Sequence, residues 1–217
     1  MNVEQARFNM IEQQIRPWEV LDLRVLELLS RMPREEFVPA DQNALAFVDT
    51  HISLGHGQVM MQPKQEARLL QEVDVTGKDR VLEIGTGSGY MTGLLASLAL
   101  EVDSVDIFPD FLESARNKLR ERGFNNINFA EGDASQGWEG NGPYDVIILT
   151  GSVPDMPQQF VDNLNPRGRL AAIVGTDPIM EAVLITRLDD GSTKKESLFD
   201  TSLPPLVNAA RPPGFVF

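Results

Sequence analysis

The sequence contains no cysteine. Disulfides, thiolate nucleophiles, cysteine-held zinc and iron–sulfur clusters are therefore excluded. Histidine is almost as scarce, represented by His51 and His56 alone, which leaves too few ligands for a histidine metal site. No run approaches the ~18 consecutive apolar residues of a membrane span. The opening Met-Asn-Val-Glu-Gln-Ala-Arg lacks the basic-then-apolar layout of a secretory signal, so a cytoplasmic protein is expected. Positive charge is in deficit: 19 Lys plus Arg stand against 32 Asp plus Glu, a formal net charge of −13. Such a chain repels a phosphate backbone on average, which argues against nucleic acid as a partner.

What is present centres on residues 80–90, Arg-Val-Leu-Glu-Ile-Gly-Thr-Gly-Ser-Gly-Tyr. Val81, Leu82 and Ile84 make a short strand-like run, Gly85, Gly87 and Gly89 break it, and a helical pattern starts at Tyr90. Alternate glycines let a ligand lie against bare peptide groups, and the helix behind them offers free N–H donors. The spacing is neither the Gly-x-Gly-x-x-Gly of dinucleotide sites nor the Gly-Lys-Ser/Thr of triphosphate sites. A second strand, 102–107, carries Asp106 near its end, 21 residues beyond Gly85 (106 − 85). An acidic side chain at an offset of roughly 20 meets ribose hydroxyls in nucleotide-binding βαβ units.

The remaining chain, 217 residues with 42% hydrophobic content, suits a single α/β domain. Helical spacing is expected over 3–15 up to Pro17, over 23–32 behind an Asp22 cap, and over 64–73, 90–100, 109–122 and 158–164. These first two helices either only cover the sheet or also carry substrate contacts. Strands are expected at 80–84, 102–107, 125–130, 144–150, 169–174, 180–188 and 198–203, with a turn at 165–168 and a hairpin around Asp189-Asp-Gly-Ser. Residues 34–63 read as irregular. The expected fold is a doubly wound, Rossmann-like seven-stranded sheet with an N-terminal helical extension and an antiparallel C-terminal hairpin. Residues 1–75 would form the extension, 76–207 the ligand-binding core and 208–217 an irregular tail.

Glu-x-Gly-x-Gly-x-Gly at 83–89 resembles the first motif of class I S-adenosylmethionine-dependent methyltransferases. That resemblance implies S-adenosylmethionine as cofactor and S-adenosylhomocysteine as product. It places Gly85, Thr86, Gly87, Ser88 and Gly89 against the methionine portion, Glu83 near its amino group, and Asp106 and Ile107 at the nucleoside. The succession Arg-x-x-Phe-Val-Pro at 34–39, Ala-Phe-x-Asp at 46–49, Gly-x-Gly-Gln at 55–58 and then the glycine motif is similar to the protein-L-isoaspartate O-methyltransferase family, over about 11–206. The family pattern implies that Asp133 lies near the adenine, with Ala134 standing where relatives have glycine. After Gly-x-Gly-Gln, relatives continue Thr-Ile-Ser, whereas this chain has Val59, Met60 and Met61. Met61 thus occupies the position of the family's active-site serine, and Gln58 and His56 are the polar candidates left nearby. Met61 also reads as core filling, and His56 as a loop histidine bonded to backbone.

The activity implied is methylation of L-isoaspartyl (D-aspartyl) carboxyls in damaged proteins. A carboxylate, with a reference pKa of about 4, is already ionised and needs no general base. Two alternatives stay open: methylation of a small carboxylate or other small-molecule oxygen, and a non-catalytic S-adenosylmethionine-binding module. The oligomeric state is left open.

Overall fold

The computed structural model describes residues 2–210. Its N-terminal part is helical. Asn2 caps α1 (Val3–Met10), which widens into a π turn over Ile11–Ile15 and then tightens to a 3-10 turn at Arg16–Trp18. Pro17, which lacks an N–H, ends the regular ladder there. Asp22 caps α2 (Leu23–Arg31) by accepting the Arg24 N–H.

The stretch expected to be irregular contains a small antiparallel pair, β1 (Ile52–Gly55) and β2 (Gln58–Met60). Gly55, His56 and Gly57 all have positive φ, of 99°, 53° and 72°, and turn the chain between them. Next, α3 (Pro63–Glu72) begins with a capping box between Gln62 and Gln65.

Strands and helices then alternate: β3 (Arg80–Ile84), α4 (Tyr90–Leu98), β4 (Glu101–Asp106), α5 (Pro109–Glu121), β5 (Ile127–Glu131), β6 (Tyr144–Val153) and α6 (Gln158–Asp162). They end in a meander of β7 (Leu164–Thr176), β8 (Ile179–Arg187) and β9 (Thr193–Asp200). The sheet order is β5-β4-β3-β6-β7-β8-β9, parallel from β5 to β7 and antiparallel from β7 to β9. Side chains alternate across it, so Val81, Val146, Ile148, Ala171 and Ile173 face the core shared with the N-terminal helices. Leu82, Ile147, Leu149, Leu170 and Ala172 face the other core, with Phe160 of α6. Both faces are covered, as a parallel sheet requires.

Boundaries move furthest from expectation at two places. The turn at 165–168 lies inside β7 as a bulge: pairing with β6 jumps from Tyr144↔Leu164 to Val146↔Arg169, and Arg167 takes φ 65°. The last strand starts at Thr193 rather than 198. Its first residues, Thr193, Lys194 and Lys195, are exposed on the sheet edge, where charge rather than apolar alternation protects the strand from pairing with another chain. The expected tail lies, from residue 211 on, outside the described residues.

The chain runs outward from β3 to β4 and β5, then returns to β6 on the other side of β3. Ligands of open α/β sheets bind at the crevice this reversal leaves beyond the strand C-termini. No helix among the described residues is long and apolar enough to cross a membrane.

Candidate functional site

Beyond β3 the chain enters the glycine loop, and each glycine answers a different neighbour. A Cβ on Gly85 would overlap Thr150 Oγ1; one on Gly87 would meet Leu54 Cδ1 at 3.2 Å; one on Gly89 would meet Ala115 Cβ at 2.7 Å. All three have positive φ, of 95°, 49° and 83°, a region that favours glycine. Thr150, at the C-terminal part of β6, fixes the loop by donating to Ile84 O at 3.0 Å and Gly85 O at 2.5 Å.

A cavity opens beside this loop, walled by Gly85, Gly87, Asp106, Ile107, Asp133, Ala134 and Thr150. Asp106 Oδ2 accepts the Gly87 N–H and Oδ1 the Phe108 N–H, both at 2.9 Å. Burial raises its pKa against those backbone donors, which lower it. Asp133 Oδ1 accepts the Ser135 N–H and its Oδ2 the Asn208 side-chain amide, which together hold its carboxyl below the usual range. The β1–β2 pair roofs the cavity with Leu54 and Val59, and Leu206 and Val207 close another side. Leu206 is tied to β6 through its N–H to Ser152 O at 2.9 Å.

Thr86 and Ser88 line a small recess at the glycine end of the cavity, together with Met60, Met61, Glu66 and Met91. Gly89 does not reach either space and packs against α5. Glu83 is also elsewhere. Its carboxyl is fully buried behind the loop, Oε2 accepting from Thr92 Oγ1 at 2.5 Å and Ser104 Oγ at 2.6 Å, and Oε1 has no partner among the described residues. Burial pushes its pKa up to about 8, so it is largely neutral at pH 7.

Of the three acceptor candidates, Gln58 alone lines both the cavity and a wide groove next to it. His56 borders the groove but is engaged outward: its ring stacks on Phe108 with centroids 4.1 Å apart, and Nε2 lies 2.9 Å from Asp110 Oδ2. Met61 is buried at 3% exposure, and its carbonyl accepts from Arg34 at 2.6 Å. The groove, of about 1160 Å³, runs between His51, Gly175–Asp177, Met180 and residues 202–210. Sequence reading missed Leu54, Leu206 and Val207 as cavity residues; the β1–β2 pair carries the first there, and the bond of Leu206 N–H to Ser152 O of β6 carries the other two.

A glycine loop after the first parallel strand, an acidic residue closing the second and an open groove beside their shared cavity define a class I S-adenosylmethionine-dependent methyltransferase. The family model "Protein-L-isoaspartate(D-aspartate) O-methyltransferase (PCMT)" matches residues 5–211. Protein-L-isoaspartate O-methyltransferases of Protochlamydia amoebophila and Myxococcus xanthus are similar in sequence. The first is 39% identical over 201 residues, covering 91% of this chain and 95% of the relative. The second is 44% identical over 156 residues, covering 72% and 74%. A Plasmodium falciparum protein-L-isoaspartate O-methyltransferase solved in complex with S-adenosyl-L-homocysteine shares the fold, with TM-score 0.78, 20% identity, and coverage of 95% of this chain and 98% of that one. The chain belongs to the protein-L-isoaspartate(D-aspartate) O-methyltransferase family.

Proposed function

We propose that this chain methylates isoaspartyl carboxylates presented by a protein or peptide segment lying in the groove, with S-adenosylmethionine in the adjoining cavity. The size of the groove carries the choice of acceptor. At about 1160 Å³ it exceeds the roughly 300–1,000 Å³ of small-molecule sites and suits an extended chain segment.

The residues present fit the cofactor. Gly85 and Gly87 present backbone rather than side chain to the cavity, and Asp106 keeps lone pairs for ribose hydroxyls after accepting its backbone donors. Ile107, Asp133, Ala134 and Ser135 form the end suited to the adenine. The chemistry supplied when the cofactor is bound is an electrophilic methyl on a sulfonium, taken in line by a carboxylate oxygen as the C–S bond breaks. Protein side chains need move no proton. Their work is to align the acceptor and exclude water, and the roof of Leu54 and Val59 with the wall of Leu206 and Val207 does so. Gln58, at the junction of groove and cavity, is the side-chain donor placed to hold the acceptor carboxylate.

Labelled-methyl transfer to an isoaspartyl peptide, with the aspartyl isomer as control, tests the reading. Turnover of the isoaspartyl form alone is expected, lost by tenfold or more in Gln58→Ala. Val59 and Met61 favour a second reading, because both are apolar where the family pattern implies hydroxyls. If neither the native chain nor Val59→Thr/Met61→Ser methylates isoaspartyl peptide, the groove serves another carboxylate.

A further inference from the structure

The two buried glutamates near the glycine loop differ in what they face. Glu83 is sealed behind the loop by Thr92 and Ser104. Glu66, from the first turn of α3, comes from the other direction and lines the recess with Met60, Met61, Thr86, Ser88 and Met91. Recess and cavity share Gly85, Gly87 and Thr150, so they are two ends of one space, with Asp106 at the far end.

Glu66 is the only ionisable side chain in the recess. Its Oε2 is taken by the Arg34 guanidinium, whereas Oε1 has no partner among the described residues. Glu66 is 2% exposed as a residue, yet Oε1 itself is not sealed from solvent, so the opening it faces is the recess. Neither neighbouring hydroxyl bonds Glu66: Thr86 Oγ1 pairs with Ser104 Oγ at 2.6 Å, and Ser88 Oγ accepts the Tyr90 N–H at 3.2 Å. Arg34 holds the carboxylate in place. It also donates to Ala46 O at 2.9 Å and Met61 O at 2.6 Å, and lies over the Tyr90 ring 5.0 Å from its centroid. A buried carboxylate with one free oxygen, rigidly held at the end of a cavity, is a receptor for a small cation with N–H donors.

We propose that Glu66 Oε1 accepts the α-ammonium of the cofactor's amino-acid portion, a role that the glycine-motif pattern would give to Glu83. The proposal rests on the reading that S-adenosylmethionine occupies this cavity. Its ribose at Asp106 directs the amino-acid portion past Gly85 and Gly87 into the recess. Burial pushes the Glu66 carboxyl up to about 7 while Arg34 pulls it down. An ammonium at Oε1 meets the carboxylate oxygen that Arg34 leaves free and, like Arg34, favours the ionised form against burial.

Calorimetric titration with two ligands tests this. S-adenosylhomocysteine carries the ammonium; 5′-methylthioadenosine has the same nucleoside and thioether but no amino-acid portion. Glu66→Gln should weaken S-adenosylhomocysteine about 10- to 100-fold, the range for a charge-assisted bond, and leave 5′-methylthioadenosine unchanged. Since Glu66→Gln leaves Arg34 buried without its partner, Arg34→Met/Glu66→Met removes both charges and should show the same selective loss. Unchanged affinity for S-adenosylhomocysteine, or equal loss of both ligands, overturns the role of Glu66 while leaving the cavity as the cofactor site. Failure of both ligands to bind the native protein overturns the cofactor reading, and this proposal with it.

Discussion

Gly85 and Asp106 show how far single residues could be read. Both roles are local to a strand end: a glycine where the backbone turns at positive φ, and a carboxylate whose lone pairs lie where β4 stops. Spacing alone therefore reached them. Gly85→Ala should drive a methyl into Thr150 Oγ1 at a φ of 95°, costing roughly 1–3 kcal/mol of backbone strain alone. Loss of S-adenosylhomocysteine binding, with the thermal midpoint lowered by only a few degrees, is the expected result by calorimetry and thermal melting. Asp106→Ala should weaken the same ligand by at least tenfold, since each bond to a charged acceptor contributes roughly 1.5–3 kcal/mol; unchanged affinity would move the ribose elsewhere. Arg34 and Glu66 were not legible in this way. They are 32 positions apart in sequence and acquire meaning only when the 3-10 turn at Arg34–Glu36 and α3 bring them together under the loop.

At the scale of elements, long periodic segments were legible and short ones were not. α5 and β6 carry enough apolar positions to declare their period, and their observed bounds fall close to the expected ones. The β1–β2 pair has seven strand residues in all (4 + 3) and no sustained alternation. Its order comes from where its tip lands. His56 stacks on Phe108, meets Phe111 edge-on with centroids 5.3 Å apart, and reaches Asp110 at the start of α5. That contact also lowers the Asp110 carboxyl's pKa. His56 thus latches the roof across the cavity from the border of the groove. His56→Ala should speed dissociation of S-adenosylhomocysteine several-fold in stopped-flow measurements and change the methyl-transfer step less. An equal fall in single-turnover rate without faster dissociation would return His56 to the acceptor site.

For the whole molecule, the buried carboxyls set a pH dependence of stability. Glu83 is raised to about 8 from a usual 4.5, chiefly by burial, and Glu66 to about 7 for the same reason. Between those values and 4.5 the folded chain binds more protons than the unfolded one, so these groups' contribution is complete at low pH and is lost as pH rises through the folded values. Urea midpoints of the native chain and Glu83→Gln, compared from pH 5 to pH 8, should converge at the acid end. Toward pH 8 the variant should gain relative to the native chain. A difference that does not change across this window would show Glu83 ionised throughout. The overall architecture was legible because a seven-stranded sheet with both faces apolar leaves few topologies, and the chain took the expected one.

The walls of the cavity also impose a timetable. Leu54 and Val59 cover it from the hairpin, and Leu206 and Val207 belong both to its wall and to the groove. A peptide filling the groove would lie against Leu206 and Val207, and the expected result is that a cofactor already inside is committed while one outside must wait. Turnover is then a queue in which the cofactor enters first and its demethylated remnant leaves last. In an isotope-trapping experiment, labelled S-adenosylmethionine preloaded on the enzyme should be converted ever more completely, rather than lost to an unlabelled chase, as isoaspartyl peptide is increased.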